Sequence, residues 1–133
     1  MIVLDASAAV DLLLDLRPQA DWVRERLPRG EDMHAPHLID TEVGSAVRRR
    51  AQADEIDDDR GRVVLGLHRD LPIVRYPHAP LLPRMWEHRH SLTFGDAAYV
   101  ALAEALDATL VTTDERLGRA GLGHRIAAFP GRL

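Results

Sequence analysis

The chain has 133 residues, 46% hydrophobic and 29% charged, which suits one domain with a buried core and is too apolar for a disordered chain. Its formal net charge of −4 means that no overall basic field draws in a polyanion. Cysteine is absent and all seventeen basic residues are arginine, which excludes disulfides, thiolate sites, Walker A loops, Schiff bases and lysine-assisted phosphoaspartyl transfer.

Met1 to Leu4 is a short apolar run that reads as a buried strand. Asp5, Asp11 and Asp15 interrupt the apolar start of the chain, so a signal peptide is not expected. Ala6 to Leu14 has helical composition, and Pro18 opens a second helix over Gln19 to Leu27. Pro28-Arg29-Gly30 marks a turn, and Asp32 to Ala35 reads as a strand. Leu38 to Ala53 is helical, and the charged loop Asp54 to Asp59 begins a helix that runs to Asp70. Ile73 to Tyr76, between Pro72 and Pro77, is a strand. Ala79 to His90 reads as a helix with Pro83 near its start, and Thr93 to Leu106 as a helix with almost no polar face. Thr109 to Val111 is a strand, Glu115 to Ala120 a short helix, and Arg125 to Phe129 a last strand. Gly118 to Gly123 is glycine-rich but comes after a helix, so it reads as a helix stop and turn rather than a dinucleotide loop.

Strands alternating with helices predict one α/β domain over residues 1–133, with a mainly parallel sheet and helices on both faces. The longest apolar stretch, Ala97 to Ala103, has seven residues, whereas a membrane span needs about 20. The expectation is a soluble, cytoplasmic protein that does not engage a membrane.

Four acids stand where a solvated charge is not expected. Asp5 directly ends the first strand, and Asp114 comes after the strand Thr109 to Val111 and two threonines. Ligands of doubly wound sheets sit beyond the carboxyl ends of strands, at the switch in strand order. Glu42 falls at the edge of an apolar arc of Ile39, Val43, Ala46 and Val47, and Asp96 lies in the first turn of the most apolar helix. Each has a structural reading as well: Asp5 and Asp114 as N-caps, Thr93 and Asp96 as a capping box, Glu42 as an edge charge reaching solvent. Four anions converging without cations would be severely unfavourable. A hard divalent cation resolves this, since Mg²⁺ takes oxygen ligands and keeps waters that can attack a phosphate ester.

These residues sit in four segments that carry a resemblance: Met1-Ile2-Val3-Leu4-Asp5-Ala6-Ser7-Ala8, Leu38-Ile39-Asp40-Thr41-Glu42-Val43, Leu92-Thr93-Phe94-Gly95-Asp96-Ala97-Ala98-Tyr99 and Leu110-Val111-Thr112-Thr113-Asp114-Glu115-Arg116-Leu117. Together they resemble the PIN-domain ribonucleases, and more narrowly the VapC toxins of bacterial toxin–antitoxin pairs. The resemblance covers essentially the whole chain. It implies a five-stranded sheet in the order 3-2-1-4-5 and an acidic catalytic and metal-binding quartet at Asp5, Glu42, Asp96 and Asp114. Ser7 and Thr112 match supporting hydroxyl positions. The implied activity is endoribonucleolytic cleavage with one or two Mg²⁺ or Mn²⁺ ions. The implied partners are RNA, a second copy of the chain and a VapB-like antitoxin, whose C-terminal segment would send a basic side chain toward the quartet. A catalytically silent PIN-like binding module and a DNA-directed nuclease are the rival readings.

Three further signals carry less. No histidine pair has the spacing of a metal helix, and His68, His78, His88 and His90 have no family role, so solvated or capping roles are expected for the seven histidines. Arg48, Arg49 and Arg50 end a helix, where they complement its dipole, and equally could meet RNA phosphates or an acidic partner. At 5% aromatic content, recognition by base stacking is unsupported.

Overall fold

The computed structural model describes residues 1–120 and 125–131. Its strands are β1 (Ile2–Leu4), β2 (Met33–Pro36), β3 (Ile73–Tyr76), β4 (Thr109–Thr112) and β5 (Ile126–Ala128). Between them lie α1 (Ala6–Leu13), α2 (Gln19–Arg24), α3 (Leu38–Gln52), α4 (Asp58–Asp70), α5 (Leu82–Glu87), α6 (Phe94–Leu106) and α7 (Glu115–Gly118). The strands form one sheet in the order β3-β2-β1-β4-β5, and every pairing is parallel. Val3 stands opposite His34 on one side and Leu110 on the other, so β1 is the central strand. The 3-2-1-4-5 order that the family resemblance implied is the one observed.

The position of β1 is explained by its composition. A central strand covered on both faces reads as a continuous apolar run, and Val3 and Leu4 are fully buried. Crossovers leave β1 toward β2 and β3 on one side, and the chain then returns to β4 and β5 on the other. Right-handed crossovers running in opposite directions put their helices on opposite faces. Accordingly α1 packs on α2, α3 and α4, while α6 packs on β1, β2, β4 and α5. Ala97 to Ala103 of α6 are all buried, as a helix without a polar face must be. No helix among the described residues is long and apolar enough to cross a membrane.

Element boundaries differ from expectation where prolines act locally. The segment Ala79 to His90 is not one helix. It divides into a 3₁₀ turn at Ala79–Leu81 and α5, each with a proline in its first turn, because Pro80 and Pro83 supply no N–H and are tolerated only at a helix start. The second helix ends at Arg24 rather than Leu27, and the Arg26 and Leu27 N–H groups reach back only three residues, to Val23 and Arg24, in tighter turns. β4 extends one residue further than expected, to Thr112. The short helix after it stops at Gly118, and residues 121–123 of the expected glycine-rich turn lie outside the described residues.

Gly118 is needed for close approach. A Cβ placed on it would lie 2.5 Å from the Cβ of Ala128, on β5. Overpacking of this kind costs about 1–3 kcal/mol. Gly118→Ala is therefore expected to lower the urea midpoint of unfolding by pushing β5 away from α7. An unchanged midpoint would show that the two elements separate freely.

Candidate active site

The reversal of strand order beside β1 leaves a crevice beyond the carboxyl ends of β1 and β4. A cavity of about 600 Å³ opens there, lined by Asp5, Ser7, Asp11, Glu42, Asp96 and Asp114 among others. All four acids singled out in the sequence face this one cavity, although they come from the end of β1, from α3, from α6 and from the start of α7.

Asp5 is the deepest, at 6% exposure. It occupies the N-cap position of α1 yet makes no capping bond, which removes the structural reading of that residue. Its Oδ2 instead accepts the hydroxyls of Ser7 at 2.6 Å and Thr112 at 2.7 Å. Thr112 Oγ1 also accepts the Asp114 N–H at 3.0 Å, and Ser7 Oγ accepts the Thr113 N–H at 3.1 Å. The two hydroxyl positions thus tie the end of β1 to the end of β4. The Asp5 carboxyl is raised from the ordinary 3.8 to about 6: burial pushes it up most, the two hydroxyls pull it partly back, and Glu42 and Asp96 add smaller pushes.

Glu42 is held by Tyr99, whose hydroxyl donates to Oε1 at 2.7 Å. Burial and the charges of Asp5 and Glu42 raise the Tyr99 pKa, so the phenol remains a neutral donor. A Cβ on Gly95 would lie 3.7 Å from Glu42 Oε2, so the start of α6 approaches Glu42 closely. Glu42 is thus a half-buried carboxylate on the cavity wall, held by Tyr99 rather than extended freely into solvent. Where a ligand-bearing carboxylate loses its hydrogen-bonded support, affinity or activity falls about 10–100-fold. Tyr99→Phe, which keeps the ring, is expected to lose activity in that range, and unaltered turnover would make the bond incidental.

Asp96 and Asp114 keep part of their structural reading. Thr93 Oγ1 accepts the Asp96 N–H at 3.2 Å, half of the expected capping box. Asp114 caps α7 through the N–H groups of Arg116 and Leu117. Both carboxylates also meet the guanidinium of Arg116, at 3.1 Å for Asp96 and 3.4 Å for Asp114. Sequence reasoning gives Arg116 no role. It also misses Asp11, whose Oδ2 accepts the Thr113 hydroxyl at 2.7 Å. Asp11 stands four residues after Ser7 in α1, so helical spacing alone could have found it. Nothing in the spacing marks Arg116, which reaches α6 from another helix.

The arginine cluster divides. Arg49 and Arg50 line the acidic cavity, and Arg50 pairs with Glu55 at 2.9 Å. Arg48 lines a second cavity, with Gly44, Val47, Asp54, Asp58 and Leu65, which none of the four acids lines. Among the described residues no histidine lines the acidic cavity. Two histidines expected to be solvated or capping are buried instead: His68 against Asp40 at 2.7 Å and His88 against Glu104 at 2.6 Å. His78 does cap, accepting the Leu38 N–H at 2.9 Å at the start of the helix that carries Glu42.

As the side chains lie, no group of three or more acids or histidines among the described residues is disposed to hold a metal ion. Two observations explain this: Asp5 turns to its hydroxyls, and Arg116 takes Asp96 and Asp114. The donor set nevertheless suits a hard cation. Its oxygens are of the kind that Mg²⁺ takes. The Asp5 carboxyl is raised chiefly by burial, with smaller pushes from Glu42 and Asp96, so its charged form is short of solvation in this crevice.

Residues 2–122 match the PIN domain family. The chain is 46% identical over 121 residues to Ribonuclease VapC9 of Mycobacterium tuberculosis, covering 91% of each protein. It is 45% identical over 119 residues to Ribonuclease VapC1 of the same organism, covering 89% of each. The fold matches the crystal structure of VapBC2 from Rickettsia felis bound to a DNA fragment from their promoter, with a TM-score of 0.70 at 15% identity, over 96% of this chain and 98% of that one.

Proposed function

The chain belongs to the PIN-domain family, and from that premise we propose that it is a metal-dependent endoribonuclease of the VapC type, the toxin of a toxin–antitoxin pair. The observation that carries the reading is the convergence of Asp5, Glu42, Asp96 and Asp114 on one cavity at the switch in strand order. Relatives named as VapC ribonucleases, at 45–46% identity over about nine-tenths of the chain, support the substrate class.

In this reading the four carboxylates hold Mg²⁺, with Mn²⁺ as a substitute. Bound there, a divalent cation supplies Lewis acidity toward a phosphodiester and lowers the pKa of water. The chain's own groups do the remainder. Ser7 and Thr112 donate to Asp5 and fix its orientation. Tyr99 holds Glu42, and Thr112 steadies the backbone at Asp114. Arg49 and Arg50, on the wall of the same cavity, supply positive charge for the flanking RNA phosphates. Arg48 faces elsewhere and is not part of this contact.

Such an activity in the cytoplasm has to be restrained. A VapB-like antitoxin is the proposed partner, and a homodimer the proposed state of the toxin. The test is incubation of antitoxin-free protein with total RNA and with single-stranded DNA, in EDTA and in Mg²⁺. RNA cut in Mg²⁺ and spared in EDTA is the expected result. Cleavage of DNA alone would make the protein a deoxyribonuclease, and no cleavage of either would leave a silent binding module.

A further inference from the structure

Two acids of the quartet already meet a cation of this chain, Arg116. Arg116 Nη2 lies 3.1 Å from Asp96 Oδ2 and 3.4 Å from Asp114 Oδ2. Its side chain is 66% exposed, whereas those of Asp96 and Asp114 are 16% and 31% exposed. A side chain with most of its surface in water loses little on leaving, because ion pairs made by exposed groups are worth about 0–1 kcal/mol. Its backbone is anchored nonetheless. The Arg116 N–H donates to Asp114 Oδ1 at 2.9 Å within the first turn of α7. When it leaves the carboxylates it therefore stays at the rim of the cavity, of which it is a lining residue.

We propose that Arg116 is a displaceable counter-cation: it occupies Asp96 and Asp114 in the metal-free protein, yields them to the divalent ion, and then contacts a backbone phosphate of the RNA. The inference rests on the metal-dependent reading above. Charge balance supports the exchange. Asp5, Asp11, Glu42, Glu55, Asp96 and Asp114 line the cavity against Arg49, Arg50 and Arg116, so acids outnumber arginines, and a divalent ion would replace the single charge of Arg116 at Asp96 and Asp114 with two. A freed guanidinium beside a phosphodiester has the planar fork that bonds two phosphate oxygens at once.

Two readouts test this, and neither is turnover. The first is calorimetric titration of Mn²⁺ into metal-free wild type, Arg116→Gln and Arg116→Lys. Removing an exposed competitor is expected to tighten Mn²⁺ binding about two- to fivefold in Arg116→Gln. Arg116→Lys, which keeps the charge, is expected to stay nearer to wild type. The second is binding of labelled oligouridine RNA in Ca²⁺ at several salt concentrations. Loss of one phosphate contact on a single strand is expected to reduce the slope of log affinity against log salt by about 0.7 in Arg116→Gln. Tighter metal binding with a shallower salt slope supports the proposal. Unchanged or weaker Mn²⁺ binding in Arg116→Gln overturns the displacement, and an unchanged salt slope overturns the phosphate contact. A wild type that binds no Mn²⁺ overturns the metal-dependent reading itself, and the inference with it.

Discussion

Asp5→Asn is expected to abolish RNA cleavage while making the metal-free protein more stable at neutral pH. The loss of activity comes from position. Asp5 is buried in the crevice, and its carboxylate is the one that β1, Ser7 and Thr112 jointly orient. In the proposed reading Asp5 would be a direct metal ligand, and since removing only an outer support costs about 10–100-fold, a fall at or beyond the upper end of that range is expected. The gain in stability comes from linkage. The Asp5 carboxyl titrates at about 6 in the folded protein against an ordinary 3.8, raised chiefly by burial. Between those values the folded form keeps a proton that the unfolded chain has released, so stability falls as pH rises through the window. Above it, the metal-free protein bears the whole penalty, up to about 3 kcal/mol. Asparagine carries no charge to desolvate, and its carbonyl oxygen still accepts the two hydroxyls. Urea unfolding at several pH values checks this: the variant should exceed wild type by about 1–3 kcal/mol at pH 7, with the gap closing toward pH 4. A variant that is less stable at pH 7 would contradict the account of Asp5.

Asp96→Asn separates chemistry from folding in a different way. The cap of α6 is made by Thr93 Oγ1 and the Asp96 backbone N–H, and the substitution leaves it in place. What disappears is a carboxylate charge that pushes on Asp5 and pairs with exposed Arg116. The lost ion pair and the relieved repulsion oppose one another, so stability should change by no more than about 1 kcal/mol. Cleavage should fall by more than about 100-fold, in line with loss of a metal ligand. Circular dichroism melting alongside an RNA assay measures both. A folded variant with full turnover would reduce Asp96 to a helix-start residue.

β3 is legible residue for residue because Pro72 and Pro77 bound Ile73–Tyr76, and β1 because an apolar run ends at Asp5. α6 was equally plain, since seven consecutive apolar residues leave a helix no solvent face. Among the acids, strand-end logic reached Asp5 and Asp114, and helical arcs reached Glu42. What stayed hidden depends on contacts between distant segments. Tyr99 meets Glu42 across 57 positions, and Arg116 meets Asp96 across 20. The buried pairing of His68 with Asp40 spans 28. No periodicity encodes such partners. The run Arg48-Arg49-Arg50 looked uniform as text, yet helical rotation of 100° per residue sends Arg48 to a different cavity from its neighbours.

The expectation of a partner's basic side chain at the quartet now has a physical counterpart within the chain. Arg116 already shows that two of the carboxylates accept a guanidinium. An antitoxin arginine entering the cavity would have to share or displace that contact, so in the proposed reading inhibition and metal binding would draw on the same oxygens.

The central claim is that a divalent cation binds among these four carboxylates, and it is tested most directly by the melting temperature of wild type and Asp5→Asn across a Mg²⁺ titration. The readout belongs to the protein itself, so a trace of contaminating nuclease cannot imitate it. A ligand that binds only the folded state raises its melting temperature. Wild type should start below Asp5→Asn at pH 7 and climb with Mg²⁺, whereas Asp5→Asn should start higher and stay flat. A wild type indifferent to Mg²⁺ and Mn²⁺, or an Asp5→Asn variant that climbs equally, would contradict the account.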